Sequence, residues 1–130
     1  MNFNKTAIEI VALNKWFDDF KVLNNINLRV DVGEIVVVCG PSGSGKSTLV
    51  RCINCLERHD SGELKVLGNK IVNDKNSLKL VSSQVGMVFQ QFNLFPHLSV
   101  IENLTLGPIQ ALGLSRDEAL SRAQKLLDRL

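Results

Sequence analysis

Gly40-Pro41-Ser42-Gly43-Ser44-Gly45-Lys46-Ser47-Thr48 decides the fold, because it fits G-x-x-x-x-G-K-[ST] at every fixed position. A backbone that curls around an anion must turn several N–H groups inward. Gly40, Gly43 and Gly45 can take the dihedrals of such a nest and leave no Cβ between backbone and phosphate. Lys46 then supplies a point charge for β- and γ-phosphates. The Ser47 hydroxyl is placed to ligate Mg²⁺, and a helix starting here aims its positive end at the anion.

The flanks supply the context that this loop requires. Ile35-Val36-Val37-Val38-Cys39 is a continuous β-branched run, which predicts a parallel strand buried on both faces. Lys46 to Leu56 carries Leu49, Ile53 and Leu56 at helical spacing. Strand, glycine loop and helix together point to a nucleoside triphosphate as ligand, rather than to a chance glycine-rich turn.

Working outward toward the N-terminus, Ile8 to Leu13 reads as a strand with Ile8, Ile10 and Ala12 on one face. Lys15 to Phe20 is an aromatic cluster with the turn-forming acids Asp18 and Asp19. Asn25 to Val32 alternates strictly, so a half-exposed antiparallel strand is expected there, with Gly33 turning into the buried strand. Toward the C-terminus, His59-Asp60-Ser61-Gly62 is a turn. Glu63–Leu67 and Lys70–Val72 form a hairpin around Gly68-Asn69. Asn73 to Lys79 is a polar loop leading to a short helix near Leu78 to Ser82. Val85-Gly86-Met87-Val88-Phe89 reads as another buried strand, ending at the aromatic loop Gln90 to Pro96. Ser99 and Glu102 form a capping box for a helix through about Leu106, kinked or interrupted by Gly107-Pro108. Ser115 and Glu118 repeat the box. Ala119, Leu120, Ala123, Leu126, Leu127 and Leu130 then form an apolar stripe running to the last residue with no stop signal.

Composition bounds the rest. The 130 residues suffice for one ordinary domain, and 45% apolar with 22% charged residues is a globular balance. A net charge of +2 is too small to argue for nucleic acid. No apolar run reaches the roughly eighteen residues of a membrane-spanning helix, and Met1 to Thr6 has no apolar signal region. Cytosolic residence is the expectation. Three cysteines, an odd number, fit that compartment. Cys52 and Cys55 form C-x-x-C, but inside the expected helix and with no second pair to complete a zinc site, so ordinary thiols are expected.

The order of motifs resembles the ATP-binding subunit of ABC transporters. An aromatic follows strand one, then come the glycine loop and Arg51-Cys52-Ile53-Asn54. Val88-Phe89-Gln90-Gln91-Phe92-Asn93-Leu94-Phe95-Pro96-His97-Leu98 arrives later, with Glu102-Asn103 after it. Cys39-Gly40 and Phe95-Pro96-His97-Leu98 look most like the group taking up polar amino acids of the glutamine, glutamate, histidine or arginine kind. The resemblance covers essentially the whole chain. It implies an α/β fold: a P-loop NTPase core with an N-terminal antiparallel β layer (residues 1–92), then the start of an α-helical subdomain (residues 93–130).

By the same resemblance, ATP and Mg²⁺ are the cofactors, held by Gly40 to Thr48. Phe17 takes the place of the aromatic that stacks on adenine, although core burial leaves the same sequence trace. Asp18 stands where relatives often have glycine. Gln90 matches the glutamine that touches Mg²⁺ and the attacking water, so Lys46 and Gln90 are the implied catalytic residues, with Ser47 and Gln90 at the metal. Phe92, Leu94, Phe95 and Leu98 fall where relatives meet a membrane subunit, or equally pack in a core. His97 is not the family's switch histidine, which belongs to a later segment. The implied assembly is a homodimer on two membrane permeases, at the inner face of the cell membrane, fed by a substrate-binding receptor and without nucleic acid.

The sequence also departs from the pattern. Between Gln90 and Leu130 there is no apolar strand ending in Asp-Glu, no Ser-Gly-Gly signature and no switch histidine. The chain therefore reads as the N-terminal half of such a subunit, cut inside the helical subdomain. Two functions stay open: the energy-coupling ATPase of an amino-acid importer, or a nucleotide-binding fragment without catalysis. In the fragment, Ile35–Cys39 would expose apolar faces and unpaired edges, giving marginal stability. DNA-repair ATPases with this head fold carry heptad coiled coils, which are absent here. Adenylate and shikimate kinases lack the antiparallel N-terminal layer.

Overall fold

The computed structural model describes residues 6–72 and 74–130. Residues 1–5 and Asn73, the latter expected in a polar loop, lie outside the described residues. The chain divides into two compact units, one ending at Gly86 and the other running from Met87 to Leu130.

The first unit is built on a four-stranded antiparallel sheet ordered β2-β1-β3-β4. Its elements are β1 (Thr6–Phe17), β2 (Phe20–Asp31), α1 (Lys46–Ile53), β3 (Ser61–Val66), β4 (Asn69–Lys70) and α2 (Lys75–Gln84). Phe17 pairs with Phe20 across the Asp18-Asp19 turn, and Asp18 takes a φ of +51°. A short acidic side chain tolerates that left-handed backbone where many residues would not, so aspartate can stand in for glycine here.

The expected face of β1 is corrected at Ala12. Ile10 is buried, but the next buried residues are Leu13 and Lys15. The register shifts between Ile10 and Leu13, and Ala12 has a φ of +51°. An extra residue in one strand moves every later side chain to the opposite face. Asparagines satisfy the displaced backbone: the Ala12 N–H donates to Asn27 Oδ1 at 2.9 Å, and Asn14 Nδ2 donates to the Ala12 carbonyl at 2.8 Å. The Asn25 N–H in turn donates to Asn14 Oδ1 at 2.9 Å. Gly62 lies on the other side of the bulge, where a Cβ would come within 2.6 Å of Leu13 Cα.

Leu49 and Cys52 from α1 and Val81 from α2 join Ile10, Leu13, Leu23, Leu64, Val66 and Ile71 in one core. α1 ends at Ile53, earlier than its apolar spacing predicts, because Cys55 turns to a φ of +61° and leaves Leu56 exposed. The β3–β4 turn is also one residue earlier than expected. Val66 pairs with Asn69, and the two central residues are Leu67 (φ +48°) and Gly68 (φ +81°). Two positive φ values in a two-residue loop match the twist of the flanking strands. α2 is longer than expected and is N-capped by Asp74, whose carboxylate accepts from the Ser77 N–H at 2.8 Å.

Ile35–Cys39 is not a buried strand. No strand among the described residues pairs with it, and Ile35 is 91% exposed. Burial on both faces requires a ladder on each side and layers above and below; β-branched composition alone does not provide them. Residues 85–89 likewise carry no strand pairing, and Val88 is 97% exposed.

The second unit holds α3 (Val100–Leu112) and α4 (Arg116–Leu127), which pack on each other. Both expected capping boxes are present, on Ser99–Glu102 and Ser115–Glu118. α3 runs through Gly107-Pro108 rather than stopping there, and ends where Gly113 takes a φ of +66°. The Gly113 and Leu114 N–H groups both donate to the Pro108 carbonyl. On α4 the small residues Ala119 and Ala123 are the buried ones, while Leu126 and Leu130 are exposed. The expected stripe therefore narrows to its alanines.

Candidate functional site

The glycine loop joins residue 39 to α1 through a turn in which the Ser44 N–H donates to the Pro41 carbonyl at 3.3 Å. Gly45 is the N-cap of α1, with a φ of +89°. It is wedged against β2: a Cβ there would meet the Val22 carbonyl at 2.9 Å and Leu23 Cδ2 at 3.1 Å. Only glycine lets the loop approach the sheet this closely. The helix start has no side-chain cap and no acid in its first turn. Its leading N–H groups thus face the loop without an internal acceptor, which is the condition that favours an anion.

Lys46 follows at once. Its ammonium lies across the loop, donating to the Gly40 carbonyl at 2.7 Å, the Pro41 carbonyl at 2.7 Å and Ser44 Oγ at 3.3 Å. The charge is thereby held against the loop. Gly40 is confined too, since a Cβ would stand 2.9 Å from Ser44 Oγ.

A pocket of about 540 Å³ opens beside these groups, lined by Phe17, Val22 and the run Ser42 to Thr48. Of the residues expected at the site, Phe17, Ser42, Gly43, Ser44, Gly45, Lys46, Ser47 and Thr48 are brought to this one pocket. Gly40 and Pro41 serve it through the carbonyls that hold Lys46. Gln90 belongs to the second unit, exposed in the segment before α3. The pocket suits a triphosphate with a flat ring attached. It offers a glycine cradle, one fixed cation, two hydroxyl residues at the helix start, and a half-exposed aromatic on the wall.

Sequence reading missed Val22 as a pocket residue. The visible signal was the strict alternation from Asn25, and β2 begins earlier, at Phe20. A register shift between Lys15 and Trp16 inserts Val22 without a partner on β1, and nothing in the residue pattern marks it.

A second, smaller cavity of about 240 Å³ lies in the other unit, lined by Leu94, Phe95, Pro96, Leu98, Val100, Asn103 and Leu104. Asn103 shapes it. Its Oδ1 accepts from the Phe95 N–H at 2.9 Å, and its Nδ2 donates to the carbonyls of Phe95, Leu98 and Ser99. One amide thus pins the Phe95–Leu98 loop to α3, while Phe92 and Leu94 stay exposed. The cysteines of the C-x-x-C do not form a reactive pair. Burial pushes the Cys52 thiol up to about 11, with Glu57 adding to the effect, and burial also raises Cys55.

Among known proteins, the chain is 50% identical over 126 residues to the general L-amino acid transport ATP-binding protein AapP of Rhizobium johnstonii, covering 97% of this chain and 49% of that one. It is 49% identical over 120 residues to the glutamine transport ATP-binding protein GlnQ of Escherichia coli, covering 92% and 50%. The chain thus spans about half the length of the curated relatives it matches. Among solved structures, the bacterial ABC transporter cassette MJ0796 in its dimeric form superposes with a TM-score of 0.83 at 36% identity, covering 93% of this chain and 56% of that one. The family model described as ABC transporter matches residues 23–130. With the glycine loop, the cation it fixes and the antiparallel layer behind it all in place, the chain belongs to the ABC transporter family.

Proposed function

We propose that the chain is the nucleotide-binding part of an ATPase subunit that couples ATP hydrolysis to uptake of a polar amino acid. The observation that carries this reading is the pocket in which Lys46, held across the glycine loop, faces the same space as Phe17. The backbone N–H groups of Gly43 to Ser47 cradle the phosphates, and Lys46 compensates charge on the β- and γ-oxygens. Phe17 supports the base by stacking. Ser47, at the helix start beside the pocket, would hold Mg²⁺, which would draw charge from the β- and γ-oxygens when bound. Gln90 is the residue that the family resemblance offers for orienting the attacking water and for the metal, and residues 1–92 are the core that precedes the helical part starting at residue 93.

The names of the relatives, which transport L-amino acids or glutamine, support the substrate class. The whole subunit would act as a homodimer on two membrane permeases served by a substrate receptor, peripheral to the inner membrane face. No described helix is long and apolar enough to cross a membrane. The aromatic loop pinned by Asn103 is the surface suited to a permease.

The test is a titration of a fluorescent ATP analogue against the chain and its Lys46→Ala variant. Loss of the fixed cation should weaken binding at least about tenfold, roughly 1.4 kcal/mol. Equal affinities would sink the reading. A second reading, binding without turnover, is favoured by the exposed Ile35–Cys39 run, which leaves the segment before the glycine loop without strand neighbours among the described residues. Steady-state phosphate release by the chain, with Lys46→Ala as the control for contaminants, separates the two.

A further inference from the structure

We propose that Lys15 is the positioning residue of the base platform, holding Phe17 in register with the phosphate loop; this rests on the stacking role given to Phe17 above. Lys15 is 8% exposed, and its ammonium sits 4.9 Å from the centroid of the Phe17 ring. Phe17 itself is 45% exposed and lines the nucleotide pocket. The cation therefore lies inside the protein while the ring remains available to a ligand.

What fixes the lysine is the chain just beyond α1. Lys15 Nζ pairs with Glu57 at 2.9 Å and with Asp60 at 3.8 Å. Glu57 is anchored to the helix end, its N–H donating to the Arg51 carbonyl at 3.0 Å. Asp60 is locked onto β1 from both sides: its N–H donates to the Asn14 carbonyl at 2.9 Å, and its Oδ2 accepts from the Trp16 N–H at 2.7 Å. α1 thus presents the phosphate loop at one end. At the other it holds Glu57, which holds Lys15, which holds Phe17.

A ring on an exposed strand end would otherwise lose rotamer freedom each time it stacked on a base. Attraction between a desolvated ammonium and the ring face removes that cost in advance. The ion pairs alone would hold β1 to the α1 terminus without any effect on base recognition. The two roles differ in which part of the ligand they serve.

The experiment compares ATP with inorganic tripolyphosphate, which offers the same phosphates and no base, by calorimetric titration of the full chain. Lys15→Met keeps the length of the side chain and removes its charge. ATP affinity should fall about three- to tenfold while tripolyphosphate affinity stays within about twofold. Lys15→Arg should restore ATP binding, because a guanidinium also sits well on an aromatic face. In a Phe17→Ala background Lys15→Met should cost nothing further. Should Lys15→Met lose tripolyphosphate binding through misfolding, Glu57→Gln, which loosens the lysine and keeps it, decides by the same ratio. Equal losses for the two ligands, or no loss for either, overturn the inference. If Phe17→Ala lowers ATP affinity and Lys15→Met does not, this inference fails alone. If Phe17→Ala leaves the ratio unchanged, the stacking reading fails and the inference falls with it.

Discussion

Replacing Gly45 by alanine should damage the first unit more than the same change two residues earlier, and the excess is set by one backbone carbonyl. Gly45 has a φ of +89°, where an L-residue costs about 1–2 kcal/mol. Its Cβ would also stand 2.9 Å from the Val22 oxygen and 3.2 Å from Val22 Cγ1. Val22 is itself unpaired, but its neighbours Lys21 and Leu23 are paired with Trp16 and Lys15 of β1 and limit its retreat, so a further 1–3 kcal/mol, roughly, is expected from overpacking. Gly43 has a φ of +80°, yet a Cβ there meets nothing within 4 Å. Gly43→Ala therefore carries the backbone penalty alone. Both variants gain the same small entropic benefit from a stiffer unfolded chain, which cancels in the comparison. The chain has a single tryptophan, Trp16 in β1, so its emission follows this unit during urea unfolding. With an m-value of about 1–3 kcal/mol/M, Gly45→Ala should unfold about 1–2 M earlier than wild type and clearly before Gly43→Ala. Superimposable midpoints for the two variants would refute the claim that the Val22 carbonyl dictates glycine at position 45.

Other outcomes follow from the same geometry. Gly62→Ala, with a φ of +96° and a Cβ driven against Ala12 and Leu13, should cost about 3 kcal/mol or more; a melting temperature within a few degrees of wild type would contradict the bulge contact. Hydrogen bonds from Ser99 and Ser115 hold the Glu102 and Glu118 carboxyls below the usual glutamate range. Their capping is complete above about pH 4.3 and is lost as pH falls through the lowered folded-state values. Circular dichroism should therefore show helix loss on acidification that a Glu102→Ala/Glu118→Ala variant lacks, and identical acid titrations would count against it. With a disulfide thiol reagent at neutral pH, exposed Cys39 should label fast and buried Cys52 slowly; a fast phase surviving Cys39→Ser at full amplitude would reverse that order.

The conformation of the glycine loop was legible because its positions answer local demands: Gly43 and Gly45 take positive φ values, and the helix begins at Lys46. The two capping boxes were legible for the same reason, since each is closed within four residues. What stayed hidden depended on partners elsewhere in the chain. Ala12 looks like any strand residue, and its bulge is visible only once Asn14, Asn25 and Asn27 are seen holding the displaced backbone. Ile35 to Cys39 has the composition of a buried strand, but composition does not supply neighbouring strands. Leu67 offered no hint of its left-handed turn, because leucine adopts that φ only when the strands on either side impose it. Lys15 read only as the first residue of an aromatic cluster with turn-forming acids, and what holds it in the structure is Glu57 and Asp60, more than forty positions away.

The sheet order β2-β1-β3-β4 has a kinetic consequence. β1 meets β2 through a two-residue turn, a hairpin that closes within microseconds. Its other edge must wait for β3, with Ile8 facing Val66 across 58 positions (66 minus 8). Closing so long a loop costs about 3–4 kcal/mol in chain entropy before any contact repays it. The phosphate loop and α1 lie inside the segment that this pairing closes. On an emerging chain the hairpin forms first, and the loop keeps its freedom until β3 arrives. Zipping of β1 to β3 is then the step that draws α1 onto the sheet, seats Gly45 on Val22 and makes the glycine loop a fixed object.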